Sequence, residues 1–278
     1  MANGAVARQL AEARGMLRSQ NINFFPSGIA EKAIVKYLTS PSWEVRNIGV
    51  KLIPRLGNPT LFDLLPPILT DHSESGIVRR NAATAICHAR HWNDISCDAI
   101  ERSLRDRYWE VRSEALHSLA ALAKPSEHSE ALILSVLFGG HPAAHEKGPA
   151  DVYRRSTLRE RNFEVRAACA HALGALAVSE QSVEALSRLL ADSVWIVRYQ
   201  ATIALAEFAA RNDTYKALAA DRIRKVQITP ECSVSKHPFG QTVSRLGSDV
   251  LKGTLSGHPE ELRHLYLNLK KGWNIVDD

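Results

Sequence analysis

The sequence predicts an all-α fold in which helix pairs stack in a row, and three observations lead to this prediction. Apolar residues recur with helical period, and a leucine precedes each periodic stretch at a fixed distance in four of five cases. The dipeptide Val-Arg also occurs five times, with spacings of 33, 33, 54 and 32 residues. Its copies begin at Val45, Val78, Val111, Val165 and Val197. Self-similarity at such a period is typical of arrays of short helical units.

Each Val-Arg pair is predicted to open a helix whose buried side can be read from the following residues. Three positions after the arginine the residue is always small: Gly49, Ala82, Ala115, Cys169 and Ala201. Seven positions after it the residue is large and apolar: Ile53, Ile86, Leu119, Leu173 and Leu205. These positions lie on one side of an α-helix. The small residue lets a neighbouring helix approach to the short end of the roughly 8–10 Å range for packed helices.

A second helix is predicted before each Val-Arg pair, ending in a leucine and an acid. Eight residues before the arginine lies Leu38, Leu104, Leu158 or Leu190, and six before it lies Asp106, Glu160 or Asp192. The second copy fits if its turn is two residues longer, which brings Leu69 and Asp71 into register. We expect Arg112 and Asp106, Arg166 and Glu160, and Arg198 and Asp192 to pair within or between repeats. A ladder of arginines for phosphate is the alternative interpretation.

The acid, the Val-Arg pair and the alternation of small and large residues resemble the HEAT-repeat family, specifically the short HEAT-like units of phycobilisome lyases. The resemblance covers about Gly28 to Arg211. It implies an α-solenoid, a right-handed superhelix of about five helix pairs with N- and C-terminal capping helices. It also implies that the second helices line the concave side, with positions two, five and nine after the arginine facing inward. This fold serves adaptors, chaperones, lyases and nucleic-acid binders alike.

Three regions are expected along the chain. Residues 1–27 form a capping helix and linker, 28–226 the array, and 227–278 a connector and helical cap. The 54-residue spacing indicates an insertion of about 21 residues, placed near 139–156 by its Gly- and Pro-containing centre. Residues 129–138 are either the first half of a split helix or an additional helix. Further helices are predicted at 213–226, 242–255 and 259–271.

Composition narrows the class of partner. A net charge of +5 and a pI near 9.1 permit an acidic partner, but 35 basic against 30 acidic residues is a small excess. Lys and Arg form no long run, so nucleic-acid binding is the minor alternative. Scattered cysteines, a charged N-terminus and the lack of a membrane-length apolar run predict a cytoplasmic protein without a membrane partner.

The predicted inward surface mixes charges of both signs with neutral residues, which suits a protein partner. The candidate partner-binding residues on it are Lys51, Arg55, Asn81, His88, His117, His171 and Gln200. The insertion adds His141, His145, Arg154 and Arg155.

Two residues before the valine lies an aromatic residue in four units: Trp43, Trp109, Phe163 and Trp195. They could form a ridge for a partner or for stacked bases. The preferred interpretation is a hydrophobic staple that packs on the next helical turn.

Metal and catalytic motifs are weak. Cys87, His88, His91 and Cys97 suggest zinc by residue type, but their spacing lacks the paired pattern of known zinc sites. No metal, cofactor or catalytic residue is therefore predicted.

The predicted function is a non-catalytic protein-binding scaffold that contacts its partner through the concave face and the insertion. Two alternatives stay open. The first is a bilin lyase or chromophore chaperone of the E/F type, with His117, His171, Arg154 and Arg155 holding the propionates. The second is a binder of nucleic-acid backbones.

Overall fold

The computed structural model describes residues 2–19, 27–90, 92–139 and 160–227, with the side chains of residues 2, 3, 27, 195 and 224–227 outside the description. All regular structure within these ranges is helical, and no strand occurs in them. The prediction of an all-α fold is confirmed. The chain divides into two compact units, 1–123 and 124–278.

The first unit contains eight helices in its described part. Their bounds are α1 (Ala2–Arg18), α2 (Ser27–Leu38), α3 (Trp43–Leu56), α4 (Pro59–Phe62), α5 (Leu65–Thr70), α6 (Gly76–Ala89), α7 (Asp94–Ser103) and α8 (Trp109–Leu122). The Val-Arg helices α3, α6 and α8 stack side by side. The helices α2, α5 and α7 pack on α3, α6 and α8 respectively, while α1 packs against α3. The predicted helix pairs are therefore present.

The second unit repeats this arrangement. Its described helices are α9 (Glu127–Phe138), α10 (Phe163–Leu176), α11 (Glu180–Leu189), α12 (Trp195–Arg211) and α13 (Asp213–Gln227). The Val-Arg helices α10 and α12 pack on each other, and α13 contacts α11 and α12. Residues 129–138 belong to one complete helix, α9. The insertion beyond Gly139 and the predicted helices at 242–255 and 259–271 lie outside the described residues.

Side chains and glycines define the helix ends. The side chains of Asn93, Ser126 and Ser179 accept hydrogen bonds from backbone N–H groups at the starts of α7, α9 and α11. These N–H groups have no partner within the helix, so each cap is worth about 1 kcal/mol. At the end of α3, Gly57 adopts a left-handed conformation with φ of 67°, which an L side chain disfavours.

The first helix of the second repeat differs from the prediction of one continuous helix. It is divided into α4 and α5, with Asp63 and Leu64 between them. Pro66 and Pro67 lack the backbone N–H groups that would bond to the carbonyls of Phe62 and Asp63, four residues earlier, so a continuous helix is interrupted there. The prolines instead occupy the start of α5, where a missing N–H costs nothing.

The predicted buried stripe forms the core. All five Val-Arg valines have no exposed surface, and the described large residues seven positions after the arginine are at most 1% exposed. Burying each such side chain contributes about 1.5–3 kcal/mol. The small residues allow close approach: a methyl group on Gly174 of α10 would lie 2.8 Å from the Cα of Ala204 in α12.

The repeated arginine connects consecutive repeats through a carboxylate. Arg79 donates from Nε and Nη2 to the two carboxylate oxygens of Asp106, at 3.0 and 2.9 Å. Arg166 binds Asp192 in the same way, at 2.6 and 2.9 Å, and Arg46 binds Glu74 at 2.5 and 2.8 Å. In each case the carboxylate lies one repeat further along the chain. We call each such pair a rung.

The same arginines also bind the turn of their own repeat. Nη1 of Arg112, Arg166 and Arg198 donates to the backbone carbonyl of the acid six residues earlier, at 2.8, 3.2 and 2.7 Å. The described contact between each arginine and the acid of its own repeat is therefore to the backbone. The carboxylates of Asp106 and Asp192 are instead used by the arginine of the preceding repeat.

The second repeat requires a correction, because its rung uses Glu74 and not Asp71. The Asp71 carboxylate accepts bonds from the backbone and hydroxyl of Ser73, at 2.8 and 2.6 Å, and so closes its own turn. Glu74 lies closer than Asp71 to the start of α6. It occupies the place in the longer turn that Asp106 occupies in the turn of the third repeat. The register predicted from Leu69 therefore selected the wrong acid, Asp71, for the second repeat.

A buried carboxylate joins α9 to α11 in the second unit. Glu130 is 4% exposed and accepts hydrogen bonds from the hydroxyls of Ser179, at 2.7 Å, and Ser182. It thereby places negative charge at the N-terminus of α11, where the helix dipole favours it.

The Arg79–Asp106 rung is expected to be essential for stability. Arg79→Met removes the two-bonded arginine partner of the buried Asp106 carboxylate, so we expect a loss of about 3–5 kcal/mol in the free energy of unfolding. Arg102→Met is the matched control, because Arg102 and Asp98 form an exposed pair on α7, with side chains 70% and 56% exposed. We expect the control to cost about 0.5 kcal/mol or less. Urea denaturation of both variants measures the difference, and equal losses would contradict the role of the rung.

Glycine at position 174 is expected to be required by packing. In Gly174→Ala the new methyl group meets the backbone of α12, so we expect a loss of about 1–3 kcal/mol. Gly15→Ala in α1 is the control, since nothing lies within 4 Å of the added carbon. It should be neutral or stabilise by up to about 1 kcal/mol. Thermal denaturation of the two variants tests this, and a harmless Gly174→Ala would show that the helices can separate without cost.

The Arg46–Glu74 rung is expected to weaken in acid. Burial raises the pKa of the Glu74 carboxyl, but the hydrogen bonds from Arg46 and from the Ser75 backbone N–H outweigh burial and leave that pKa lowered. A lowered folded-state pKa gives stability that is complete above the unfolded-state pKa, about 4.3, and is lost as the pH falls through the folded value. The difference in unfolding free energy between the wild type and Glu74→Gln should therefore shrink between pH 6 and about pH 3. A constant difference would contradict the assignment.

Candidate partner-binding surface

The solvent-facing side of α3, α6 and α8 is the main candidate surface. It carries the positions five and nine after each repeat arginine, which lie opposite the buried stripe. All of them are half-buried or exposed: Lys51, Arg55, Thr84, His88, His117 and Ala121. Because these helices stack side by side, equivalent positions form one continuous surface. We call these six residues the open face.

In the first unit, the residues two positions after the arginine are buried in two of three repeats and do not belong to this surface. The exception is Glu114, which is half-buried. Asn81 is 7% exposed and donates its side-chain amide to Asn47 Oδ1 at 2.6 Å. Ile48 is likewise 7% exposed. These residues lie where neighbouring Val-Arg helices meet, so Asn81 holds α6 to α3 and is not available to a partner in this arrangement.

The equivalent positions in the second unit are buried in three of six cases. Ala168, Gln200 and Ile203 are 0%, 2% and 3% exposed, whereas His171, Ala175 and Glu207 are half-buried. Helices α10 and α12 carry apolar or small residues on nearly every side, and a helix of that kind is expected to be enclosed. Gln200 is therefore a buried residue and not a surface contact. The candidates His117 and His171 belong to different units.

Large apolar side chains are exposed at the turns of the first unit. Trp43 is 40% exposed, Ile77 45%, Tyr108 42% and Trp109 37%. Trp43 and Trp109 are the first residues of α3 and α8, after the N-caps Ser42 and Tyr108. A staple residue would precede the N-cap. The expected staple is therefore not formed at these two turns, and part of each ring remains in solvent.

The other two members of the predicted aromatic ridge lie in the second unit. Phe163 is half-buried at the start of α10. The side chain of Trp195 lies outside the described residues.

Tyr108 was not among the candidates. Its ring covers Gly76, where an added Cβ would meet the ring at 2.9 Å, and the guanidinium carbons of Arg79 and Arg107 lie 5.3 and 4.9 Å from its centroid. These are cation–π distances. The sequence signal for this contact was Gly76, which stands where the other repeats have an aromatic residue. The ring of Tyr108, from the turn of the next repeat, occupies the space that a side chain at position 76 would fill.

Neither described cysteine of the proposed zinc pattern is a reactive thiol. Burial and the hydrogen bond to Glu101 raise the pKa of Cys97 to about 11, and burial raises the pKa of Cys87. Within the described ranges no three His, Cys, Asp or Glu side chains cluster as metal ligands. His91 lies outside those ranges, as do the insertion candidates His141, His145, Arg154 and Arg155.

Over the described residues, none of the helices combines the length and apolar character needed to cross a membrane.

Several solved structures are similar to this chain in fold. The complex of CpcE and CpcF of phycocyanin lyase from Nostoc sp. PCC7120 matches with a TM-score of 0.49 and 16% identity, over 86% of this chain and 94% of that chain. An engineered protein matches with a TM-score of 0.46 and 20% identity, over 79% and 95%. A designed armadillo repeat protein matches with a TM-score of 0.45 and 19% identity, over 78% and 98%. No curated protein matches the sequence.

The family model for HEAT repeats matches residues 30–120 and 154–224, more than half of the chain. These two ranges contain all five Val-Arg pairs. The chain belongs to the HEAT-repeat family.

Proposed function

We propose that the protein is a non-catalytic scaffold that binds a partner protein across the open face of its first unit. The observation that carries this proposal is the exposure of equivalent positions on three successive helices while their neighbours are buried. The HEAT-repeat architecture is suited to protein interaction, because stacked repeats present extended surfaces.

The chemistry of the open face favours a protein over a strongly charged ligand. Lys51 and Arg55 lie on α3, Thr84 and His88 on α6, and His117 beside Glu114 on α8. Cations, an acid and neutral donors thus alternate over the surface. Interfaces of moderate affinity have this mixed composition, with hydrogen bonds distributed over a broad area.

The exposed turn residues extend the proposed interface. Trp43, Ile77 and Trp109 lie at the N-terminal ends of the same three helices that carry the open face. Aromatic residues are enriched where binding energy concentrates. The repeat-4 insertion, residues 139–156, is retained as a second contact region on the basis of its sequence.

The two alternative functions, bilin lyase and nucleic-acid binder, each require a different experimental result. A bilin lyase requires transfer or a coloured complex when the purified protein is mixed with bilin and an apo-phycobiliprotein. A backbone binder requires nucleic-acid affinity that falls steeply with salt. We expect neither result.

Substitutions on the open face are expected to weaken partner binding. Thr84→Arg with His88→Glu places bulk and opposite charges on the central helix α6, whereas Lys32→Glu changes an exposed residue of α2 and serves as the control. Partners captured by the wild type are identified by mass spectrometry, purified and titrated by calorimetry. We expect the double variant to lose at least about tenfold in affinity, equal to about 1.4 kcal/mol, and the control to lose none.

Unchanged affinity of the double variant, with the fold verified by circular dichroism, would overturn the placement of the interface. Binding of bilin or nucleic acid without a protein partner would overturn the proposed function itself.

A further inference from the structure

Three arginines come together where α1 and α3 end. Arg14 and Arg18 lie one turn apart at the C-terminal end of α1, and a spacing of four residues places them on the same side of that helix. Arg55 lies in the last turn of α3, and its Nη1 donates to the backbone carbonyl of Leu17 in the last turn of α1. This bond brings the guanidinium of Arg55 next to Arg18. The three arginines are exposed, and we call them the arginine cluster.

Among the residues that the structure describes, no carboxylate forms an ion pair with the arginine cluster. Helices α1 and α3 contain one acid each, Glu12 and Glu44. Glu12 lines a groove that α1 forms with α2. Glu44 is bound by the hydroxyl of Ser42, which is the main cause of the lowered pKa of its carboxyl, with a smaller contribution from Arg14. The positive charge of the cluster therefore faces solvent.

A structural role accounts for only part of the cluster. Cations in the last turn of a helix are favoured by the helix dipole, and Arg18 and Arg55 lie in such turns. The effect falls off within that turn, and Arg14 lies before it. Arg14 and Arg18 also carry like charges at a spacing where like charges destabilise a helix. The cluster thus carries more positive charge than the stability of α1 requires.

Carboxylates fit the chemistry of this cluster. Guanidinium groups bind carboxylates and phosphates through two parallel hydrogen bonds, and the three described rungs of this chain are arginine–carboxylate pairs of that kind.

The exposed rings of the first unit are far from the cluster, and this favours a protein over a nucleic acid. Trp43 is the first residue of α3, whereas Arg55 lies in its last turn. A helix of 14 residues is about 20 Å long, so the ring and the guanidinium lie at opposite ends. Trp109 likewise begins its helix, α8. Binding of single-stranded nucleic acid combines cations with rings on which bases stack.

A second copy of the chain is a poorer source of carboxylates. Each copy carries a net charge of +5, so its approach to a cationic cluster is opposed by the overall charge.

We propose that the arginine cluster binds a stretch of Asp and Glu side chains on the partner protein. The inference rests on the proposed function, since Arg55 belongs both to the cluster and to the open face. The acidic stretch then lies at the α3 end of the open face. It thereby sets the direction in which the partner crosses α3, α6 and α8.

Binding of a fluorescein-labelled oligoglutamate peptide to the full chain, measured by fluorescence anisotropy, tests the cluster. Arg14→Gln with Arg18→Gln removes two charges and leaves the bond of Arg55 intact. Lys32→Gln with Lys36→Gln is the matched control, because it removes the same charge at the same spacing from exposed residues of α2. We expect the cluster variant to weaken peptide affinity at least about tenfold and the control to weaken it less than about twofold.

Thermal denaturation separates binding from a structural role. The cluster variant relieves the repulsion between two like charges, so we expect its melting temperature to stay within about 3 °C of the wild type. A larger fall would show that these arginines act in stability and would overturn the proposal.

Three further results would overturn it. They are the absence of peptide binding, equal losses in both variants, and tighter cluster-dependent binding of a single-stranded DNA oligonucleotide of the same net charge. Self-association that the cluster variant abolishes would identify a second copy as the occupant and would also contradict the assignment. None of these results decides the proposed function, which is tested separately by the effect of Thr84→Arg with His88→Glu on affinity for the captured partner.

Discussion

The rung between a repeat arginine and the carboxylate of the following repeat is the interaction on which the described parts of both units depend. One guanidinium binds its own turn through Nη1 and the next turn through Nε and Nη2. The rung thereby joins the turn of one repeat to the turn of the next. Arg79 and Asp106 are almost fully buried, and burying two charges is tolerable only when each one has a partner in good geometry. The Val-Arg pair recurs because the valine side chain packs in the core while the arginine side chain binds the turn.

The open face is a consequence of the same arrangement. Within an α-helix, residues four, seven and eleven positions apart lie on one side, so fixing the valine, the small residue and the large residue assigns the opposite side to solvent. In the first unit that side carries polar residues such as Lys51 and His88. In the second unit the corresponding positions are His171, Ala175, Ile203 and Glu207, of which Ile203 is buried and the others are half-buried. Two units built on one repeat pattern thus differ in the residues that this side carries.

Several features of the sequence are compatible with more than one arrangement of side chains. The second repeat offers both Asp71 and Glu74, and counting from the leucine chose Asp71, because the extra length of the turn can be placed on either side of the acid. Asn81 is polar, and the pattern placed it in solvent, but its amide is satisfied by Asn47 across the helix contact. Trp43 was expected to act as a hydrophobic staple before the helix, yet it is the first residue of α3. At that place the burial of its ring depends on the side chains that the neighbouring repeat supplies.

The sequence by itself determined the all-helical class, the helix pairs and the buried stripe, because these depend on the spacing of residue types along one chain. It also identified which arginines matter. Only the tertiary structure decided that the acid of each described rung comes from the following repeat, that Gly76 accommodates the ring of Tyr108, and that Gln200 is enclosed while His88 is open. The physical reason is that periodicity reports the environment of a residue within its own helix. Pairing and exposure depend on the side chains that a neighbouring helix presents, and these are separated by a whole repeat in the sequence.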